Sequence, residues 1–142
     1  MVKQTILWAD DDYDDLQMMR DILAKKKRDF EIVEVHNGKE ALEYLRKVKE
    51  KLDLPCLIIL DINMPRMDGK EALMKIRQME RFEKTPSILF TTSSQNRDKD
   101  FAARYNAGFL TKPIDLTQMN VIANTFLEHC EEQIKKNILK EK

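Results

Sequence analysis

Short apolar runs alternate with apolar residues at helical spacing along this 142-residue chain, and this alternation limits its possible folds more than any other feature. The runs are typical of buried strands, whereas the stretches between them repeat apolar side chains every three or four residues, as on one helix face. Strands that alternate with helices predict a parallel sheet covered on both faces, an α/β fold of five βα units. The predicted strands are residues 6–9, 30–35, 56–60, 87–90 and 108–111, and the helical stripes fall within residues 16–23, 41–52, 72–79, 101–105 and 116–134.

The charge balance argues against several classes of partner. Lys and Arg together number 25 and Asp and Glu together number 25, so the formal net charge is zero. A chain without a basic excess is not drawn to nucleic acid or to an anionic membrane, and we expect neither as a partner. No apolar run approaches the roughly 20 residues that cross a bilayer, and the first residues show no secretory signal, so we expect a cytoplasmic protein.

We expect one domain over residues 1–130, followed by a charged segment over residues 131–142. Cys130, Ile134 and Ile138 are spaced four apart, so this segment is expected to extend the last helix and to pack against another subunit or a partner, with disorder as the alternative. We expect a monomer or a weak homodimer. Cys56 and Cys130 are expected to be reduced thiols that pack as small apolar residues.

The residues that directly follow four of the predicted strands carry the chemistry. Asp10 and Asp11 follow the first strand and Asp61 follows the third, whereas Thr91 follows the fourth and Lys112 the fifth. Ligands of open parallel sheets bind at the carboxyl ends of the strands. The sequence therefore predicts one pocket that contains three carboxylates, a hydroxyl and an ammonium group.

These groups suit phosphoryl transfer. Three neighbouring carboxylates repel one another unless a cation lies between them. Magnesium is the expected cation, because it takes one or two protein carboxylates and completes its shell with water and phosphate oxygens. Lys112 and Thr91 are suited to contact a phosphoryl group, and a carboxylate is suited to be the nucleophile.

Four motifs, in this order, resemble the receiver domain of two-component response regulators. They are ILWADDD at residues 6–12, LDINMPRMDG at 60–69, LFTT at 89–92 and AGFLTKP at 107–113, and the resemblance covers about residues 3–130. It implies a flavodoxin-like (βα)5 fold with strand order 2-1-3-4-5.

The resemblance also implies a role for each matching residue. Asp61 matches the aspartate that accepts the phosphoryl group, and Asp11 the direct magnesium ligand. Asp10 matches an acidic neighbour that acts on the metal through water, and Asn63 the residue whose backbone carbonyl binds the metal. The remaining matches are Thr91 and Lys112, which contact the phosphoryl group, Phe109, which is the aromatic switch residue, and the Lys112–Pro113 bond, which is usually cis in the family.

The acidic run at residues 10–15 has two interpretations. Five acids in six positions resemble a branch of single-domain regulators that includes partners of bacterial phytochromes, although that branch usually has Pro where Tyr13 stands. Asp12, Asp14 and Asp15 are candidates for further metal ligands, but they are more simply explained by the first helix, which an Asp caps and whose dipole favours acids in its first turn. Asn37, Asp68 and Asp115 are predicted to cap later helices.

The resemblance implies a signalling phosphoacceptor that catalyses only its own phosphorylation and dephosphorylation. A sensor histidine kinase or a phosphotransfer protein would supply the phosphoryl group. We expect a stand-alone regulator, because the chain stops at Lys142 without an output domain. The surface of the fourth helix, fifth strand and fifth helix would then act on a downstream protein.

Two other classes of protein remain as alternatives. A magnesium-dependent phosphohydrolase of the haloacid dehalogenase type also forms an aspartyl phosphate, but its nucleophile follows the first strand in an Asp-x-Asp pattern. A flavodoxin-like flavin protein needs a Ser-, Thr- or Gly-rich phosphate loop after the first strand, where this chain has acids.

Overall fold

The computed structural model describes residues 4–26, 30–48, 54–113 and 116–140, with residues 26, 30, 116 and 131–140 as backbone only. Five strands and five helices alternate along them, as the sequence predicts. The strands are β1 (Gln4–Ala9), β2 (Phe30–Val35), β3 (Leu57–Leu60), β4 (Ser87–Thr91) and β5 (Gly108–Thr111). The helices are α1 (Tyr13–Lys26), α2 (Gly38–Lys47), α3 (Gly69–Gln78), α4 (Asn96–Arg104) and α5 (Leu116–Lys140), and a short 3-10 turn spans Glu80–Phe82.

The strands form one parallel sheet in the order β2-β1-β3-β4-β5, which confirms the predicted fold class. Side chains of successive strand residues point to opposite faces, so β1 contributes to two cores. Ile6 and Trp8 pack with residues of α1 and α5. Leu7 and Ala9 pack on the other face with residues of α2, α3 and α4. No helix in the described ranges is long and apolar enough to cross a membrane.

Side-chain caps begin three of the helices at the predicted residues. Asp12 Oδ1 accepts hydrogen bonds from the backbone N–H groups of Asp14 and Asp15, at 3.0 and 3.2 Å. Asn37 caps α2 and Asp68 caps α3, each accepting from the backbone N–H three residues later. Such caps satisfy amides that have no partner within the helix. The remaining predicted cap, Asp115, lies outside the described residues.

The prediction of two reduced cysteines is wrong, because Cys56 and Cys130 form a disulfide. Their Cα atoms are 4.9 Å apart, although 74 positions separate them in the sequence. Cys56 directly precedes β3, and α5 packs along the same face of the sheet, so both side chains meet in one core. This proximity comes from the packing of distant elements and has no local signal.

Two smaller expectations also fail. Helix α2 ends at Lys47, since Val48 adopts an extended backbone conformation, whereas the apolar stripe predicted a helix that reaches Leu52, outside the described residues. The Lys112–Pro113 bond is trans, because the described residues contain no cis peptide bond. The trans form is the one that X–Pro bonds favour by roughly 0.5–1 kcal/mol.

Candidate functional site

The ends of β1 and β3 bring Asp10 and Asp61 side by side. Ala9 pairs with Leu60 in the parallel register, and the backbone N–H of Asp61 donates to the carbonyl of Ala9 at 2.9 Å. Asp10 is completely buried and Asp61 is nearly so, whereas Asp11 is exposed at the rim. The pocket therefore has a buried floor and an open side.

Asp10, Asp11 and Asp61 could hold a metal ion together. Each offers a carboxylate oxygen, and these three oxygens lie within 4.8 Å of one another. An all-oxygen set of this kind fits a hard divalent cation better than a soft one. The residues therefore fit the predicted ion in both geometry and donor type.

Lys112 lies at the centre of the acidic cluster. Its Nζ atom is 2.8 Å from Asp10 Oδ2, 2.9 Å from Asp15 Oδ2 and 3.1 Å from Asp61 Oδ2. Only 8% of the Lys112 side chain is exposed, and Nζ lies 6.0 Å from the centre of the Phe90 ring. One ammonium group thus offsets three carboxylates at the carboxyl edge of the sheet.

Asp15 is the residue of this cluster that sequence reasoning missed. Its position in the first turn of α1 favours the helix dipole as the explanation over a role as a further metal ligand. No local pattern indicates this contact, because it depends on how the start of α1 packs beside Lys112, which follows β5. Asp12, by contrast, caps the helix as predicted.

Burial and charge shift the ionisation of two groups in opposite ways. Burial raises the pKa of Asp10 to about 6, although Lys112 and the backbone N–H of Asp12 both favour its charged form. Burial alone would lower the pKa of Lys112, but its contacts with Asp10 and Asp15 outweigh that cost and hold the pKa above its usual value. Lys112 is therefore a permanent cation, whereas Asp10 ionises at a cost that a bound metal would reduce.

The loop after β3 packs tightly over the pocket. The backbone N–H of Asn63 donates to Asp61 Oδ1 at 3.4 Å, and that of Gly69 donates to the carbonyl of Ile62 at 3.0 Å. A Cβ atom at position 69 would lie 2.1 Å from the carbonyl oxygen of Asp61. Only glycine therefore allows α3 to begin this close to the Asp61 backbone.

Thr91 and Phe109 lie on the neighbouring strands β4 and β5. Thr91 is completely buried, its carbonyl accepts from the backbone N–H of Lys112 at 2.7 Å, and its Oγ1 accepts from the backbone N–H of Ser93 at 3.4 Å. Phe109 is half-buried against the core beside α2, α3 and α4. It also lines a cavity of about 260 Å³ with Ile88, Leu110, Thr125 and His129, among others.

The sequence matches one protein family over most of its length. Residues 6–124 match the family described as response regulator receiver domain. This chain is 29% identical to response regulator Rcp1 of Synechocystis, over 82% of this chain and 81% of that protein. The matching relatives differ in length, because the region similar to this chain makes up 83% of one relative and 7% of another.

Solved structures agree with the family match. The phosphorylated cyanobacterial phytochrome response regulator RcpA superposes with a TM-score of 0.79 at 29% identity, covering 89% of this chain and 92% of that one. The manganese-bound form of Rcp1 gives a TM-score of 0.75 at 27% identity, covering 84% and 88%. These matches lend no support to the phosphohydrolase alternative.

Proposed function

Because this chain belongs to the response regulator receiver domain family, we propose that Asp61 accepts a phosphoryl group from a phosphohistidine and thereby switches a protein-binding surface. The chain is a two-component response regulator, and receiver domains are signalling phosphoacceptors that bind a divalent metal. The identity of the metal, the partners and the role of each residue in this chain belong to the proposal.

The position of Asp61 after β3, together with the surroundings of the other two carboxylates, supports Asp61 as the nucleophile. Asp10 is fully buried, and its oxygens are held by the backbone N–H of Asp12 and by Lys112. Asp11 is exposed at the rim. Asp61 lies in the cluster with both of them, and its Oδ2 also contacts Lys112. Lys112 also contacts Asp10 and Asp15, so the observation that carries the proposal is the position of Asp61 directly after β3, in the motif that matches the phosphate-accepting site of the family. The contact with Lys112 adds a cation beside the oxygen that would become phosphorylated.

The transfer follows from this arrangement. A carboxylate oxygen of Asp61 attacks phosphorus in line, the new O–P bond forms, and the bond from phosphorus to the donor imidazole breaks with its electron pair moving to that nitrogen. Lys112 Nζ stabilises the negative charge on the phosphoryl oxygens. Asp10, Asp11, Asp61 and the backbone carbonyl of Asn63 would hold a divalent cation, which we propose is magnesium, and that cation would supply further charge neutralisation.

The switch depends on Thr91 and Phe109. The added phosphoryl oxygens attract a hydroxyl donor, and Thr91 reaches them by moving toward Asp61. That movement leaves space beside β4 into which the half-buried Phe109 ring rotates. The surface formed by α4, β5 and α5 changes shape as a result, and a downstream protein recognises the change.

A sensor histidine kinase or a phosphotransfer protein is the proposed phosphoryl donor. RcpA is by name a phytochrome response regulator, which makes a phytochrome-type kinase the first candidate to test. The match to RcpA and the acidic run at residues 10–15 both support the branch of single-domain regulators that includes partners of bacterial phytochromes.

Incubation with acetyl phosphate and magnesium tests the proposal. We expect a phosphorylated protein whose modification is lost in alkali, as an acyl phosphate should be, and no modification when EDTA replaces magnesium. Steady consumption of acetyl phosphate without a phosphorylated protein would favour the phosphohydrolase instead. No reaction of either kind would contradict the proposal.

A further inference from the structure

Helix α4 is held in place by little apolar burial. Of its nine residues only Asp98 and Ala102 are buried, and Asp98 is not apolar. Helix α3, in contrast, buries four of its ten residues, all of them apolar or glycine. The position of α4 therefore depends strongly on polar contacts at its two ends.

The C-terminal end of α4 is anchored by Arg77 of α3. Its guanidinium donates to the carbonyls of Tyr105 and Asn106, which directly follow α4, at 2.8 and 3.1 Å. It also donates to the carbonyls of Phe82 and Thr85, at 2.9 and 2.8 Å. Two of these four hydrogen bonds hold the end of α4, and the other two fix the same guanidinium to the segment before β4, so this end of α4 is firmly attached.

The N-terminal end of α4 is attached through Asp98. Lys70 in the first turn of α3 forms an ion pair with Asp98 Oδ1, and the Ser93 hydroxyl donates to Asp98 Oδ2 at 2.5 Å. The hydrogen bonds from Lys70 and Ser93 lower the pKa of Asp98. The Lys70 ammonium also lies 5.5 Å from the centre of the Phe101 ring, on the same helix as Asp98. Lys70 therefore ties α3 to the start of α4.

The same contacts reach Thr91 through Ser93. The backbone N–H of Ser93 donates to Thr91 Oγ1 at 3.4 Å. The backbone carbonyl of Ser93 accepts a hydrogen bond from Thr111 Oγ1 at 3.2 Å. Since Asp98 holds the Ser93 side chain, a displacement of Thr91 pulls on a loop that Lys70 restrains. The contacts thus run from Thr91 through Ser93 and Asp98 to Lys70.

Building on the proposed function, we propose that Lys70 is a positioning residue that opposes the switch by holding the N-terminal end of α4. For Thr91 to approach a phosphoryl group on Asp61, its contact with Ser93 has to break or the loop has to follow. If the loop follows, α4 pivots about the end that Arg77 anchors. The Lys70–Asp98 ion pair stabilises the unphosphorylated arrangement and so lowers the affinity for a phosphoryl group or its mimic.

The test is the affinity of the protein for beryllofluoride in magnesium chloride, measured by calorimetry. Lys70→Met keeps the length of the side chain and removes its charge, and we expect roughly twofold to fivefold tighter binding, the range that a partly exposed ion pair allows. Asp98→Asn keeps an acceptor for Ser93 and should act in the same direction. The double variant should bind no more tightly than the better single variant, because both changes remove one contact.

Lys75→Met is the matched control. Lys75 also lies on α3 and pairs with an acid, but its partner Glu71, at 3.4 Å, is on the same helix. We expect its beryllofluoride affinity to equal that of the wild type. A merely structural role for Lys70 would lower the melting temperature without tightening the binding of the mimic.

The outcomes separate this inference from the proposed function. Absence of phosphorylation of the wild type by acetyl phosphate would contradict the proposed function itself. Normal phosphorylation together with unchanged or weaker beryllofluoride binding in both Lys70→Met and Asp98→Asn would overturn the role of Lys70 alone. Equal tightening in Lys75→Met would also overturn it, since a general effect of charge on α3 would then explain the result.

Discussion

The Nζ atom of Lys112 lies 3.1 Å from the Oδ2 atom of Asp61, although 51 positions of sequence separate the two residues. Strand β4 lies between the strands that carry them, so the lysine side chain reaches across the end of β4. The Phe90 ring, 6.0 Å from Nζ, lies beneath that path. A long cationic side chain is therefore needed to place a charge at Asp61 from β5.

Replacing Lys112 should affect metal binding and phosphorylation in opposite directions. In Lys112→Met, Asp10, Asp15 and Asp61 lose their shared cation, so we expect magnesium affinity to rise roughly tenfold. A tenfold change corresponds to ~1.4 kcal/mol of binding free energy, which is the order of the interaction between two nearby charges. The rate of phosphorylation by acetyl phosphate should fall by about a hundredfold, because the phosphoryl oxygens lose a charged donor. Lys84 is an exposed lysine that precedes β4 and so lies toward the amino ends of the strands, away from the pocket. Lys84→Met should therefore change neither quantity. A parallel fall in both quantities would contradict this division.

Asp10 gives the metal-free protein a specific pH dependence. Burial raises its pKa from 3.8 to about 6, so between these values the folded protein keeps a proton that the unfolded chain has released. The free energy of unfolding should therefore fall as pH rises through this window, by up to roughly 3 kcal/mol, and should not change further from this group above it. Asp10→Asn should remove this fall. Urea unfolding in EDTA at several pH values measures the free energy of unfolding of both proteins. The same dependence of this free energy on pH in the wild type and in Asp10→Asn would contradict the prediction.

Asp11 should matter for the metal and not for the fold. It is exposed and belongs to the carboxylate cluster, so Asp11→Asn should weaken magnesium binding by at least tenfold while the melting temperature in EDTA stays within a degree or two, as is usual for surface substitutions. Asp14→Asn is the matched control, because Asp14 is also exposed and lies outside that cluster. Equal weakening by both substitutions would show a general charge effect.

The disulfide between Cys56 and Cys130 should stabilise the protein by roughly 2–4 kcal/mol, because it closes a loop of 74 positions in the unfolded chain. Reduction with dithiothreitol should lower the melting temperature of the wild type. The double variant Cys56→Ala, Cys130→Ala should have a melting temperature that the reductant leaves unchanged. Two free thiols in the unfolded, unreduced protein, detected by alkylation and mass measurement, would contradict the cross-link.

Local patterns predicted most of the fold and the members of the pocket. Apolar runs marked the strands, and parallel strands carry whatever follows them to one edge, which is why Asp10, Asp61 and Lys112 meet as expected. The disulfide and the contact of Asp15 with Lys112 were missed, because both depend on which distant elements pack together. The contact between Lys70 and Asp98 has the same origin, since no spacing in the sequence relates the start of α3 to the start of α4.

The most direct measurement of the central claim is the intact mass of the wild type, Asp61→Asn and Asp68→Asn after incubation with acetyl phosphate and magnesium. The amide of Asn is a near isostere of the carboxylate and a poor nucleophile, whereas Asp68 is an exposed cap on the same loop. We predict that the wild type and Asp68→Asn each gain the mass of one phosphoryl group and that Asp61→Asn, folded as judged by circular dichroism, gains none. Undiminished phosphorylation of Asp61→Asn would show that another residue is the acceptor.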